Sequence, residues 1–244
     1  MADHRKSNAS LRLNRAVAST GVMSRRQADD AISRGRVKVN GLVVKEFNFI
    51  VNPDKDRLSV DNEPLNFKKK MYIALYKPKG VVATRSDELG RKNVIDLLPQ
   101  TLSHLKPVGR LDRDSEGLLI LSNDGDVAYR LTHPSKTVWK KYQVTVRGVP
   151  ENFVFNDLAE GVELEDGMTQ PAIVSDIHER GDRTAFCISI CEGRNRQIRR
   201  MCEHVGHPVI RLVRVAIGRL QLKPMGPGEW RYLSPKEIEW CCQL

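Results

Sequence analysis

The stretch GRLDRDSEGLLILSNDG, Gly109–Gly125, changes character halfway along. Its first half crowds Arg110, Asp112, Arg113, Asp114 and Glu116 together. Its second half, LLILS, is apolar and closes on the turn signal Asn123-Asp124-Gly125. A short apolar run bounded by a turn reads as a buried strand. The charges therefore stand where a loop enters a strand, and loops held by a sheet often carry catalytic groups. On spacing alone the better reading is a solvated turn in which Arg110 and Arg113 neutralise the acids.

Working outward, the chain from residue 71 alternates short strands with a few helices. MYIALY is an apolar run stopped by KPKG, and NVIDLLP suggests a short helix. DVAYRLTHP reads as a helix that ends before Pro134. KYQVTVRGV places Tyr142, Val144 and Val146 at a period of two, and TAFCISICEG does the same with Phe186, Ile188 and Ile190. NRQIRRMCEHVG spaces Ile198, Met201, Cys202 and Val205 along one helical side and stops at Gly206. Strands outnumber helices and the order is mixed. The fold class is α+β, with a largely antiparallel sheet.

The first 65 residues form a different kind of module. LRLNRAVAST and SRRQADDAISRG read as two short helices, with Gly21 and Gly35 as stops and Ser24 as an N-cap. Alternating valines around Asn40-Gly41 signal a hairpin, and DRLSVDNEPL adds a strand. NFKKKM reads as a linker. Two domains are expected, at 9–66 and 71–244.

The chain has 244 residues and a formal net charge of +10. Residues 1–70 hold 15 Lys+Arg against 8 Asp+Glu, and residues 71–244 hold 25 against 22. Most of the surplus thus lies in less than a third of the chain, which points to a polyanion, with nucleic acid first. Five cysteines at irregular spacing argue against a disulfide framework and for a reducing compartment. MADHRKSNAS has no apolar h-region, so no secretory signal is expected. A membrane partner is not expected, and the cytoplasm is the expected compartment. Cys202, His204 and His207 cluster without the paired spacing of a zinc site, so no metal is expected. GxxxxGK[ST], GxGxxG and GxSxG are absent, which removes sequence support for nucleotide hydrolysis and for a nucleophile elbow. The arginines Arg194, Arg196, Arg199 and Arg200 fit a helix with a wet basic face, where Arg199 and Glu203 make an i,i+4 pair.

Four stretches in order resemble the RsuA-type family of ribosomal RNA pseudouridine synthases: GRLDRDSEGLLILSNDG, KKYQVTV, EGRNRQIRRM and GEW. The module at 11–65 resembles the ribosomal-protein-S-four-like RNA-binding domain that precedes the catalytic domain in that family. RQIRRMCEHVG is similar to the large-subunit members. DRDSEG departs from the commoner threonine-containing form, and Ser115 keeps the hydroxyl. The resemblance implies that Asp112 is the catalytic carboxylate and that Tyr142 lies against the target base. It implies that Arg199 pairs with Asp112, and by a looser correspondence that Arg110 fills the gap left by a flipped-out base. The partner it implies is ribosomal RNA, most closely large-subunit (23S) RNA, with small-subunit (16S) RNA or a non-catalytic ribosome-assembly factor as alternatives. On that reading phosphates are contacted by Arg12, Arg25, Arg26, Arg36 and Lys38. Isomerising uridine needs no net redox change, phosphate transfer or water, so no cofactor is expected, and a monomer is the default.

Overall fold

The computed structural model describes residues 10–85, 87 and 89–244. By its contacts the chain divides between Lys70 and Met71 into two compact units.

The first unit holds β1 (Leu11–Arg12), α1 (Leu13–Ser19), α2 (Arg25–Ser33), β2 (Val37–Val39), β3 (Leu42–Val43), β4 (Ile50–Val51), β5 (Leu58–Val60) and β6 (Glu63–Pro64). Ser24 starts α2 with a full capping box: its Oγ accepts from the Gln27 N–H, and the Gln27 side chain accepts from the Ser24 N–H at 2.8 Å. Asn40 and Gly41 turn β2 into β3 with φ of 51° and 87°, the left-handed pair that a two-residue hairpin requires. β3, β2, β5 and β6 form one sheet in that order. Leu13, Val17, Ala28, Ile32 and Val37 pack beneath it with no exposed area or almost none. The first N–H groups of α1 have no partner inside the helix, and the carbonyls of Phe49 and Phe47 accept them.

The second unit is built on a nine-stranded sheet. Its strands are β7 (Tyr72–Lys77), β8 (Lys106–Val108), β9 (Glu116–Ser122), β10 (Lys140–Arg147), β13 (Ile173–Arg180), β14 (Arg183–Ile190), β15 (Val209–Ile217), β16 (Leu220–Gln221) and β17 (Trp230–Tyr232). A separate small hairpin joins β11 (Glu163–Leu164) and β12 (Gly167–Met168). The main path runs β13-β14-β10-β15-β9-β7-β17. The β9–β15 pair is parallel and the other strand pairs are antiparallel. The helices are α3 (Gly125–Thr132), α4 (Asn152–Glu160), α5 (Gln197–His204) and α6 (Pro235–Gln243). The fold is α+β with a mainly antiparallel mixed sheet, as the residue pattern predicts.

Both faces of the sheet are covered, and this explains LLILS. Leu119 and Leu121 join the cluster that includes α4 and α5, while Leu118 and Ile120 join the cluster with α3 and α6. All four are fully buried. A strand with no solvent face reads as a continuous apolar run rather than an alternation. Each such side chain contributes roughly 1.5–3 kcal/mol on burial. β9 is therefore a rigid base for the loop at its start. At its second residue, Gly117 has φ +104°, and a Cβ there would fall 2.3 Å from the Arg214 carbonyl oxygen. Only glycine lets β9 and β15 approach so closely.

Candidate active site

The loop from 109 to 115 connects β8 to β9 and opens onto a cavity of about 510 Å³. Arg110, Leu111 and Asp112 line it from the loop, Lys140 and Tyr142 from β10, and Leu212, Arg214 and Ile217 from β15. The end of α3 closes one side through Leu131 and Thr132. Asp112, Tyr142 and Arg110, singled out in the sequence, thus meet at one site, although 30 positions separate Asp112 from Tyr142. A second cavity of about 490 Å³, lined by Phe153, Asp157, His204 and His207 among others, shares no lining residue with it.

The loop is held by its backbone. Arg214 Nη1 donates to the Arg110 carbonyl at 3.4 Å, and the Ser115 N–H to the Asp112 carbonyl at 3.1 Å. The Arg113 carbonyl accepts from Gly80 N at 2.7 Å and from Lys77 Nζ at 3.4 Å. The Asp114 carbonyl accepts from Arg199 Nη2 at 2.9 Å. Three cationic side chains therefore grip one short loop, each from a different element. Such a loop presents the Asp112 side chain at a fixed place.

Arg199 departs from the expectation set by the resemblance. It does not line the cavity and does not pair with Asp112. Its Nε lies 3.3 Å from Asp114 Oδ2, an ion pair without hydrogen-bond geometry, and its Nη1 reaches the Val209 carbonyl. The physical reason is placement: α5 approaches the loop on the side where Asp114 points, whereas Asp112 faces the cavity. Among the described residues no hydrogen bond or salt bridge reaches the Asp112 carboxylate. It lies within electrostatic reach of Arg196 and Lys77.

The arginine cluster is a clamp rather than a wet face. Arg196 holds Asp114 in a two-pronged contact of 2.9 and 3.1 Å. Arg200 holds Asp166 the same way at 2.9 Å on both prongs. Arg194 donates to the carbonyls of Asp166, Gly167 and Met168, tying the β11–β12 hairpin to the turn before α5. The planar fork of arginine suits such paired contacts.

Charge at the site follows from these contacts. Burial alone would raise the Asp114 carboxyl, but the Arg196 hydrogen bonds and the charges of Arg199 and Arg196 outweigh it and bring it below the usual range. Glu116 is lowered chiefly by its hydrogen bonds from Arg211. Burial pushes Lys77 down to about 8, against the pull of Asp114, Glu116 and Asp112. Lys140 is lowered by burial and then by the charge of Arg214.

In the N-terminal unit, Arg12, Arg25 and Arg26 are exposed and make no ion pair among the described residues. Arg36 is exposed but holds Asp61 through Nε at 2.8 Å and through Nη2. Lys38 donates to Asn62 at 2.8 Å. Among the described residues the first three guanidiniums are unengaged. The other two are already engaged.

Two residues of the site are missed by sequence reasoning. Lys77 and Arg214 are buried, with 0% and 5% of their surface exposed. Lys77 donates to the carbonyls of Pro78 and Val81 as well as Arg113. A signal existed: a lone lysine closing the apolar MYIALY, and an arginine inside RLVRVAI, each interrupt a run that reads as strand. A buried charge needs partners, so such an interruption marks a polar network. Among the described residues no group of three or more His, Cys, Asp or Glu is placed to hold a metal ion, and no helix is long and apolar enough to cross a membrane.

Comparison with known proteins places the chain in a family. Residues 71–204 match the family model described as RNA pseudouridylate synthase, and residues 11–56 match the S4 domain. Ribosomal large subunit pseudouridine synthase B of Bacillus subtilis is 39% identical over 230 residues, covering 93% of this chain and 94% of that protein. The protein of the same name in Yersinia pestis is 35% identical over 240 residues, covering 96% and 76%. A solved structure, described as a crystal structure of pseudouridylate synthase, superposes with a TM-score of 0.66 at 33% identity, covering 95% of this chain and all of that one. With an S4 domain ahead of a matching catalytic region, and relatives similar over nearly its whole length, this chain belongs to the RNA pseudouridylate synthase family.

Proposed function

We propose that this protein converts a uridine of large-subunit ribosomal RNA to pseudouridine, with Asp112 as the catalytic carboxylate. The observation that carries this reading is the meeting of Asp112 and Tyr142 in one cavity, on a loop and a strand that the rest of the fold holds rigid. The names of the relatives support the large-subunit assignment.

The chemistry suits these side chains. The bond from uracil N1 to the sugar breaks, the base turns, and C5 takes the place of N1. A carboxylate beside the sugar stabilises the positive charge that grows there, as in glycoside hydrolysis. Attack on the sugar, removal of a sugar proton and addition to C6 of the base all use the ionised form of Asp112. Tyr142 offers a flat face for the base and a hydroxyl for proton relay. A uridine within paired RNA must leave its stack, at a cost of a few kcal/mol, and Arg110 at the cavity rim stacks into the space it vacates. Arg12, Arg25 and Arg26 supply sequence-indifferent phosphate contacts. The protein acts as a monomer in the cytoplasm.

The test is pseudouridine mapping on ribosomal RNA from cells with and without the gene, followed by reaction of the purified protein with the affected RNA. Asp112→Asn should abolish isomerisation and leave RNA affinity within about threefold, since one neutralised side chain in the cavity wall makes no phosphate contact. Normal turnover by that variant would remove Asp112 from the mechanism.

A further inference from the structure

Arg214 is the buried cation of the cavity. It stands opposite Tyr142 in the β10–β15 register and opposite Gly117 across the parallel β9–β15 pair. Nε donates to the Leu118 carbonyl at 2.8 Å, and Nη1 reaches the Arg110 carbonyl. Nη2 is buried and has no hydrogen-bond partner among the described residues. A buried charged donor without an acceptor is costly to the fold. In the wall of a binding site, such a group is one that a ligand satisfies.

The surroundings restrict what that ligand is. Leu212 and Ile217 share the wall with Arg214, so the local dielectric is low and a charge acts strongly. Lys140 lines the same cavity and Lys77 lies within electrostatic reach of Arg214, so this wall is positive. It calls for an electron-rich acceptor. A phosphate would stay at the rim, with the exposed Arg110 and Arg113. A base turned out of its helix is the part of an RNA that enters such a cavity, and Arg214, 5% exposed, is among its lining residues.

We propose that Arg214 is a catalytic residue that donates through Nη2 to a carbonyl oxygen of the flipped uracil and stabilises the negative charge on the detached base. The inference rests on the pseudouridine synthase reading above. When the C1′–N1 bond breaks, its electron pair leaves with the base, and the charge spreads from N1 onto the two carbonyl oxygens. The base then turns, and a C1′–C5 bond forms from the base's electrons. The proton at C5 departs and N1 gains one. Atoms and electrons balance without oxidant, reductant or water. The oxygen facing Arg214 carries more charge after bond cleavage than before, so the contact strengthens on the way to the transition state and lowers the barrier.

The experiment uses the full chain and a ribosomal RNA fragment in which the wild type forms pseudouridine. Single-turnover rate, RNA affinity and thermal unfolding are measured for Arg214→Met and Arg214→Lys. Arg214→Met should slow isomerisation by roughly 100-fold or more, the usual loss for one donor to a developing oxyanion. RNA affinity should stay within about threefold, because the contact matters mainly after binding. Arg214→Lys, which keeps the charge, should recover part of the rate. A structural role alone would not depend on the substrate oxygen, so the target uridine is also replaced by 2-thiouridine or 4-thiouridine. Sulfur accepts hydrogen bonds poorly. One of the two should slow the wild type by about tenfold or more, add nothing in Arg214→Met and add a smaller penalty in Arg214→Lys. Folded variants that match the wild-type rate would overturn the proposal. So would sulfur penalties that are equal in variant and wild type for both analogues. If Arg214→Met does not fold, Arg214→Lys decides by the same two criteria. No pseudouridine from the wild type on any ribosomal RNA would overturn the functional reading itself, at a stage before the variants are compared.

Discussion

The Arg199 guanidinium donates to the Asp114 carbonyl at 2.9 Å and lies 3.3 Å from the Asp114 carboxylate. Arg196 holds the other side of that carboxylate. Asp114 is therefore the anchor of the loop, and Asp112, two residues earlier, is the group the anchor presents to the cavity. The two aspartates divide one task, in which the first faces the cavity and the second fixes the first.

Asp114→Ala tests that division. It leaves Arg196 and the largely buried Arg199 without their carboxylate. With the exposed side of Arg196 discounted for solvent screening, the loss should be about 1–2 kcal/mol. That is a fall of a few degrees in melting temperature for a unit of this size. Turnover should fall at least about tenfold as the loop loosens, with RNA affinity little changed. An unaltered melting temperature and rate would show that the clamp does not position the loop.

Gly117→Ala should be far more damaging. The added Cβ would meet the Arg214 backbone, which has no room to retreat inside the sheet, and alanine would be strained at φ +104°. A loss of roughly 2–4 kcal/mol follows from strain and overpacking together. Chemical denaturation would measure it, and a variant as stable as wild type would mean that β9 and β15 are spaced more widely than described.

Lys77 makes stability and turnover diverge with pH. Burial pushes its ammonium down to about 8. The unfolded chain keeps that proton to about 10.4, so between these values the unfolded state binds more protons and Lys77 adds stability as pH rises. Below about 8 both states are charged and the cost of burying the ammonium is felt in full. Above it, the neutral amine has two donors for three carbonyls, so the grip on Arg113 weakens and the rate should decline. Lys77→Met should abolish both slopes. Denaturation and single-turnover rates across this range, measured on both proteins, would reveal a shared slope if another group is responsible.

Arg25→Ala with Arg26→Ala should weaken RNA binding and reduce the dependence of log K on log salt by about one unit for each phosphate lost. Arg36→Ala should do less, since Asp61 already occupies that guanidinium. Titrations at several salt concentrations would decide, and an Arg36 effect equal to the double substitution would show that the Asp61 pair opens on RNA.

Much of the fold is legible in the residues because the signals are local. Ser24 with Gln27, the Asn40-Gly41 pair and the valine alternation of Val37–Val39 each act within a few positions. The helix α6 carries a similar local signal, Ser234 with Pro235 and Glu237, which the structure realises as a capping box. The strand β13 was hidden for a physical reason. It lies at the sheet edge with mostly exposed side chains and a bulge between Ser175 and His178, so it lacks the apolar pattern of a buried strand.

The sequence by itself determined that a charged loop enters a buried strand, that an aromatic strand and an arginine-rich helix accompany it, and that the N-terminal module carries the positive surplus. Those are statements about neighbours along the chain, and periodicity, caps and turns encode them directly. Only the tertiary structure decided that Arg199 serves Asp114 and not Asp112, and that Lys77 and Arg214 hold the carbonyls of the loop. Pairing of charges depends on where side chains a hundred positions apart come to rest. The register of β9 against β15 and the angle of α5 set that geometry, and neither leaves a trace in local spacing.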